Sequence, residues 1–214
     1  MTDVIIRDLE EKDLPAFRSL IVEAFGEGWN FGRFDQSKDS FQALLCVYQS
    51  MFLNSSTFGK VAVHDGNVIG AILASAKGEV ETFRHWQKDL APNTLTLLTL
   101  PEAERRDIVE HLASSFGAIG QLLEDKLDAY DGSLEFIAVS KPGQGLGIGK
   151  ALWEEAIAYL KSKHVESIYL IADSACNLGF YDHNGFSKAD RKEVVYHYTT
   201  GRKKFDIFVY EYQV

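Results

Sequence analysis

The 214-residue chain is 46% hydrophobic and 25% charged, enough apolar material for a buried core and far from the composition of a disordered chain. Its formal net charge of −9 and pI near 5.2 disfavour nucleic acid as a partner and would attract a cationic one such as an amine. Cys46 and Cys176 show no CxxC spacing, the N-terminus lacks a signal-peptide layout, and no apolar run reaches bilayer length, so a cytoplasmic protein with no membrane partner is expected.

The β-branched run Val4 to Arg7 predicts a first strand. Asp13 before Leu14-Pro15 predicts a helix start, with Asp13 as the N-cap and proline in the first turn. Leu14, Phe17, Leu20, Ile21, Ala24 and Phe25 follow at helical spacing, and the glycines between Gly26 and Arg33 break it. A second helix carries Phe41, Leu44, Leu45, Tyr48, Met51 and Phe52. Residues 60–64 and 68–75 flank Asp65-Gly66-Asn67 and predict a hairpin, because Asp-Gly supplies the positive φ angles of a tight turn. Residues 77–131 predict two or three helices, interrupted at Pro92 and Pro101 and marked by Ile108, Leu112, Ile119, Leu122, Leu123 and Leu127.

Residues 134–139 predict a strand, followed by a glycine run and a helix bearing Ile148, Ala151, Leu152, Ala156, Tyr159 and Leu160. The nearly continuous apolar run 167–172 suits a buried strand with a parallel neighbour. A short helix near 175–181 and two final strands, roughly 192–198 and 205–212, complete the chain. A single domain over residues 1–214 is expected.

A strand, a glycine-rich turn and a helix in that order build an anion site. The helix start offers unpaired N–H groups and partial positive charge, and glycines allow close backbone approach. The segment runs Val139-Ser140-Lys141-Pro142-Gly143-Gln144-Gly145-Leu146-Gly147-Ile148-Gly149-Lys150. It contains no GxxxxGK[ST], and a dinucleotide GxGxxG fails at its third glycine.

These residues resemble the cofactor motif of the GNAT superfamily of N-acetyltransferases, [Gln/Arg]-x-x-Gly-x-[Gly/Ala], matched by Gln144, Gly147 and Gly149. Val139 stands at the family offset, while the usual proline is displaced by one residue to Pro142. Asn177 to Phe186, with Tyr181, Gly185 and Phe186 in a Tyr-x-x-x-Gly-Phe pattern, resembles the family's downstream signature. The resemblance covers residues 1–76 and 132–214 and implies an α/β fold. This is a central mixed, mostly antiparallel twisted sheet of about seven strands flanked by helices. Residues 77–131 would be a helical insert between the third and fourth strands.

The resemblance implies acetyl-CoA as co-substrate, its pyrophosphate held by Gln144, Gly145, Leu146, Gly147, Ile148, Gly149 and Lys150. The backbone of Ile137, Ala138 and Val139 would pair with the pantetheine arm, and Asn177 would serve the cofactor or the nearby strand splay. Tyr181 occupies the family's acid position and would protonate the leaving thiolate. Glu135, placed by two-residue alternation on one strand face with Ile137 and Val139, is the leading base candidate, with Asp173 or a water chain as alternatives. Cys176 lacks a histidine spaced to activate it, and the six histidines form no metal-binding pattern, so neither an acyl-cysteine nor a metal is expected. The expected activity is acetyl transfer to a primary amine of a small molecule in a ternary complex. A protein or peptide acceptor and a non-catalytic acyl-CoA sensor are the alternatives, and a homodimer is compatible with either. The insert is expected to lie near the acceptor groove as a lid, with His85 and Trp86 lining it or packing the insert's own core.

Overall fold

The computed structural model describes residues 4–26 and 38–214. Most of the predicted glycine break, beyond Gly26, lies outside the described residues. The first strand, β1 (Ile5–Asp8), is followed by a 3₁₀ turn (Glu11–Asp13) and helix α1 (Leu14–Phe25). Pro15 sits in the first turn of α1, but Asp13 does not cap that helix with its side chain. Its carboxylate turns back to accept two hydrogen bonds from the Arg7 guanidinium, at 2.6 and 2.8 Å, and one from the Glu10 amide at 2.9 Å. A charged partner in reach outcompetes a neutral amide for a buried carboxylate.

Helix α2 (Asp39–Asn54) buries Phe41, Leu44, Leu45, Tyr48 and Phe52. Strands β2 (Phe58–His64) and β3 (Asn67–Ala76) form the hairpin, with Asp65 at φ 49° and Gly66 at φ 77°, the two positive angles a tight two-residue turn demands. The insert holds α3 (Leu90–Leu98) and α4 (Glu102–Leu123), flanked by 3₁₀ turns at Arg84–Trp86 and Leu127–Ala129. Pro92 does not interrupt a helix. It lies in the first turn of α3, where its missing N–H costs nothing, and only Pro101 separates helices. Leu127 falls outside α4 and is 52% exposed.

Strand β4 (Gly132–Val139) leads to α5 (Ile148–Ser162), β5 (Ser167–Asp173), α6 (Leu178–His183), β6 (Ser187–Tyr198) and β7 (Gly201–Gln213). The last two strands outrun their predicted spans because the hairpin ladder continues from Tyr198↔Gly201 to Ser187↔Glu211 through residues with no apolar pattern. The seven strands form one sheet in the order β1-β2-β3-β4-β5-β7-β6. Every neighbouring pair is antiparallel except β4 and β5. This is the predicted mixed, mostly antiparallel architecture.

The helices divide between the two faces of the sheet. On one face, Ile168, Leu170 and Ala172 of β5 join Leu152, Trp153, Ala156 and Leu160 of α5 in a core that also holds Tyr181 and Phe186. On the other, α1 and α2 build a core around Phe17, Leu44, Phe52 and Phe136, and α4 packs Ala118, Leu122 and Leu123 against β6 and β7. The insert therefore covers the same face as α1 and α2. Trp86 and Phe83 pack into the α1–α2 core, with ring centroids 4.9 Å apart.

Asp107 fastens α4 to the sheet. Its buried carboxylate accepts the Thr199 amide and the Thr199 hydroxyl, both at 2.7 Å, at the β6–β7 turn. Asp107→Ala leaves both donors without this acceptor, a loss of about 1–3 kcal/mol. For a chain of this size each kilocalorie lowers Tm by roughly 2–4 °C. A thermal melt of Asp107→Ala within a degree of wild type would show that the insert is not held there.

Candidate active site

Strands β4 and β5 pair in parallel only from Gly132–Leu134 to Ile168–Leu170. Beyond Leu134 they part, while β4 continues beside β3 to Val139 and β5 beside β7 to Asp173. The parting leaves the β5-facing backbone edge of Ile137, Ala138 and Val139 without a strand partner among the described residues. An extended ligand can complete such an edge with main-chain hydrogen bonds.

A β-bulge lies at the branch point. Leu73 pairs with Phe136 and Ala74 with Leu134, so Glu135 is the extra residue. The bulge breaks the two-residue alternation and corrects the expected placement of Glu135. Leu134, Ile137 and Val139 pack on the α5 face, whereas Phe136 packs on the α1–α2 face. Glu135 turns to the α1–α2 face with Phe136, where it accepts the Ser133 hydroxyl and interacts with Ser55 and Tyr169. Burial pushes its carboxyl above the ordinary range, against the lowering effect of the two serines.

The glycine run leaves β4 through a 3₁₀ turn, Lys141–Gly143, which accommodates the displaced Pro142 at its second position. The Lys141 amide donates to the Glu23 carboxylate of α1 at 3.0 Å. Gly147 precedes α5 at φ 75° and Gly145 stands at φ 79°, both in the left-handed region where a side chain is strained. A Cβ at Gly149 would lie 3.3 Å from the Phe180 ring. None of the amides of Gly145, Gly147, Ile148, Gly149 and Lys150 donates to a backbone carbonyl of a described residue, and Gln144 to Gly147 are exposed. The buried Ser140 hydroxyl at the loop entrance has no hydrogen-bond partner among the described residues. Converging N–H groups at the start of a 15-residue helix suit a pyrophosphate, so the loop fits coenzyme A by its donor chemistry. Gln144 and Lys150 turn their side chains to solvent, and Lys150 lies 3.8 Å from Glu154.

Tyr181 lies on α6, beneath the α5 face. Its ring meets Phe180, Phe186 and Tyr210 at centroid distances of 5.6, 5.7 and 5.4 Å. Burial, with Cys176, Asp173 and Tyr210 nearby, raises its phenol well above the usual value, so it holds its proton. The buried Tyr210 hydroxyl beside it has no hydrogen-bond partner among the described residues. Asn177 precedes α6 without capping it through its side chain. Burial pushes the Cys176 thiol up to about 12, which suppresses the thiolate an acyl-cysteine would require.

Sequence patterning missed a second group. On the α1–α2 face beside the β4–β5 parting lies a cavity of about 40 Å³, lined by Tyr48 of α2, Ser115 and Phe116 of α4, Asp173 of β5, Tyr196 of β6 and Phe205 of β7. These residues come from five elements and share no spacing; of them only Asp173, at the end of β5, is a site candidate from the sequence, as an alternative base. His85 and Trp86 do not line this cavity. No group of His, Cys, Asp and Glu among the described residues could hold a metal ion. No described helix is long and apolar enough to cross a membrane.

Solved structures share this fold. The ribosomal-protein-S18-alanine N-acetyltransferase from Escherichia coli is 18% identical, with a TM-score of 0.53 over 99% of this chain and 94% of that one. A polyamine N-acetyltransferase from Drosophila melanogaster, which forms N-acetylagmatine, is 11% identical, with a TM-score of 0.54 over 99% and 100%. PaiA N-acetyltransferase from Thermoplasma acidophilum, solved with coenzyme A, is 15% identical, with a TM-score of 0.51 over 99% of both chains. No curated protein matches the chain by sequence. The family model described as Acetyltransferase (GNAT) family matches residues 14–186, from the start of α1 through the loop, the parted strands and α6. The chain is an acyltransferase and belongs to the GNAT acetyltransferase family.

Proposed function

We propose that the protein transfers an acetyl group from acetyl-CoA to the primary amine of a small molecule, with both bound at once. The observation that carries this is the parting of β4 and β5, with anion-binding amides at one end and a small aromatic cavity beside it. The amides of Gly145, Gly147, Ile148, Gly149 and Lys150 hold the pyrophosphate, while those of Gln144 and Leu146 are engaged by the Lys141 and Gly143 carbonyls, and the open edge of Ile137 to Val139 orients the pantetheine arm. Asn177 flanks that arm. Coenzyme A supplies the thioester. The amine nitrogen, after giving a proton to Glu135, forms the new C–N bond. As the C–S bond breaks, Tyr181 would give its proton to the departing thiolate, and the second proton still on the amide nitrogen would pass through solvent to restore the Tyr181 phenol. Glu135 on the α1–α2 face and Tyr181 on the α5 face suit these two proton transfers, one on each side of the sheet. A small acceptor is favoured over a peptide because α4 covers the face that a wide groove would need. Thiol release with acetyl-CoA and a panel of amines tests this function, and a panel without turnover would reject it.

Glu135 gives a prediction of its own. Its carboxyl is raised by burial, so in the folded protein the neutral form is favoured relative to the unfolded chain. The resulting stabilisation is present below the unfolded value and is lost as pH rises through the folded one. Glu135→Gln keeps a neutral group at all pH. The variant should therefore melt above wild type at pH 7, and that advantage should vanish as pH falls through the carboxylate range. Its turnover should fall by about two orders of magnitude if the carboxylate is the base. A variant with normal turnover and the shifted melting profile would keep the buried acid and discard the base.

A further inference from the structure

The insert supplies Ser115, Phe116 and Ile119 to the cavity beside the parted strands. The Ser115 hydroxyl of α4 bonds the Tyr196 hydroxyl at 2.9 Å, and Nδ1 of the fully buried His111 lies 2.8 Å from the Tyr198 hydroxyl. The His111 ring stacks on Tyr196 at 5.2 Å, and Tyr196 on Tyr198 at 5.5 Å with a 6° interplanar angle. Helix α4 thus fixes the tyrosine wall. Tyr48 adjoins that wall, with its ring 6.0 Å from His111 and 6.3 Å from Phe116.

The charge of this cavity is simple. Among its described lining residues Asp173 is the only carboxylate, and no lysine or arginine is present. One oxygen of Asp173 accepts the Ala175 and Cys176 amides at 2.8 and 3.1 Å, which fixes the carboxylate at the end of β5. Burial, with a smaller contribution from the Asp173 charge, pushes the Tyr48 and Tyr196 phenols upward, so the rings remain neutral. Neutral aromatic faces around one carboxylate attract a compact cation through the ring quadrupoles and the acid together. They offer nothing to an acceptor bearing a carboxylate or phosphate, and no second acid to a diamine.

Size sets a further limit. A volume of about 40 Å³ is well below that of a cavity that takes a benzene ring, about 150 Å³. Phe116, 37% exposed, stands at the edge of the cavity.

We propose that this cavity is the acceptor site for a compact aliphatic monoamine, with Asp173 and the tyrosine faces taking its ammonium and Phe116 limiting its girth. This rests on the acetyltransferase function proposed above. The amine is drawn in as its cation, gives one proton to Glu135 before attack and a second, through solvent, to the Tyr181 phenolate once the C–N bond has formed.

The test is thiol release with acetyl-CoA and n-propylamine, 2-phenylethylamine, agmatine, spermidine and an alanine-led tetrapeptide. In wild type, n-propylamine should match or exceed agmatine and spermidine in kcat/KM, and exceed 2-phenylethylamine and the peptide at least tenfold. Phe116→Ala should raise the ratio of 2-phenylethylamine to n-propylamine at least tenfold. Asp173→Asn, which preserves the amide acceptor, should raise KM for n-propylamine at least tenfold with a smaller change in kcat. Preference for agmatine, spermidine or the peptide, or an unchanged ratio in Phe116→Ala, overturns the proposed site while leaving acetyl transfer intact. If no compound releases thiol, the acetyltransferase function itself fails, and the acceptor site with it.

Discussion

Tyr181→Phe should lose about two to four orders of magnitude in turnover while keeping its affinity for coenzyme A and its melting temperature, the range expected when a general acid is removed. The physical basis is the separation of two roles in one side chain. The ring fills a pocket between Phe180, Phe186 and Tyr210, and phenylalanine fills it equally well. The hydroxyl is held protonated by burial and by the Asp173 and Tyr210 groups nearby, so it is available to donate to a forming thiolate. A tyrosine that served only packing would show the reverse pattern, with normal turnover in the phenylalanine variant. Because slow product release can mask a loss in the chemical step, the comparison is made by single-turnover kinetics. Tyr210→Phe is the control, since its buried hydroxyl lies beside Tyr181 and is the competing donor. A large loss in Tyr210→Phe with normal chemistry in Tyr181→Phe would transfer the acid role to Tyr210.

Gly147→Asp should weaken coenzyme A binding by about 3 kcal/mol, roughly a hundredfold, through like charge placed against the pyrophosphate. Gly147 stands at φ 75°, so any side chain there carries a backbone cost of about 1–2 kcal/mol. A Cβ at this position meets no atom within 4 Å, so steric damage to the fold is not expected. Gly147→Ala has the same backbone strain without the charge and isolates the electrostatic part. Calorimetry of coenzyme A binding to the two variants makes the comparison. Equal affinities in the alanine and aspartate variants would place the phosphates elsewhere. The aspartate variant should also be less sensitive to added salt in its residual binding, because the favourable electrostatic component is the part removed.

Several features were legible in the sequence because they are local. The Asp65-Gly66 turn, the helical spacing of α1, α2 and α5, and the strand–glycine–helix order around Gly147 each depend on neighbours a few residues away. The same holds for the Tyr181 to Phe186 signature. Through the family resemblance they carried, they implied the mixed, mostly antiparallel sheet that the structure has.

Tertiary structure decided the rest. Asp13 was taken from its helix by Arg7, a partner on another element. Glu135 was turned to the opposite face by a bulge in the register between β3 and β4. Alternation predicts a face only while pairing is regular, and one extra residue inverts it. The cavity wall of Tyr48, Ser115, Phe116, Asp173 and Tyr196 draws on residues from 48 to 196 along the chain, brought together when α4 packs on β6. Short-range pattern fixes backbone conformation and hence the anion loop. An acceptor pocket depends on which side chains meet across the sheet, and that is set by long-range packing that no local spacing encodes.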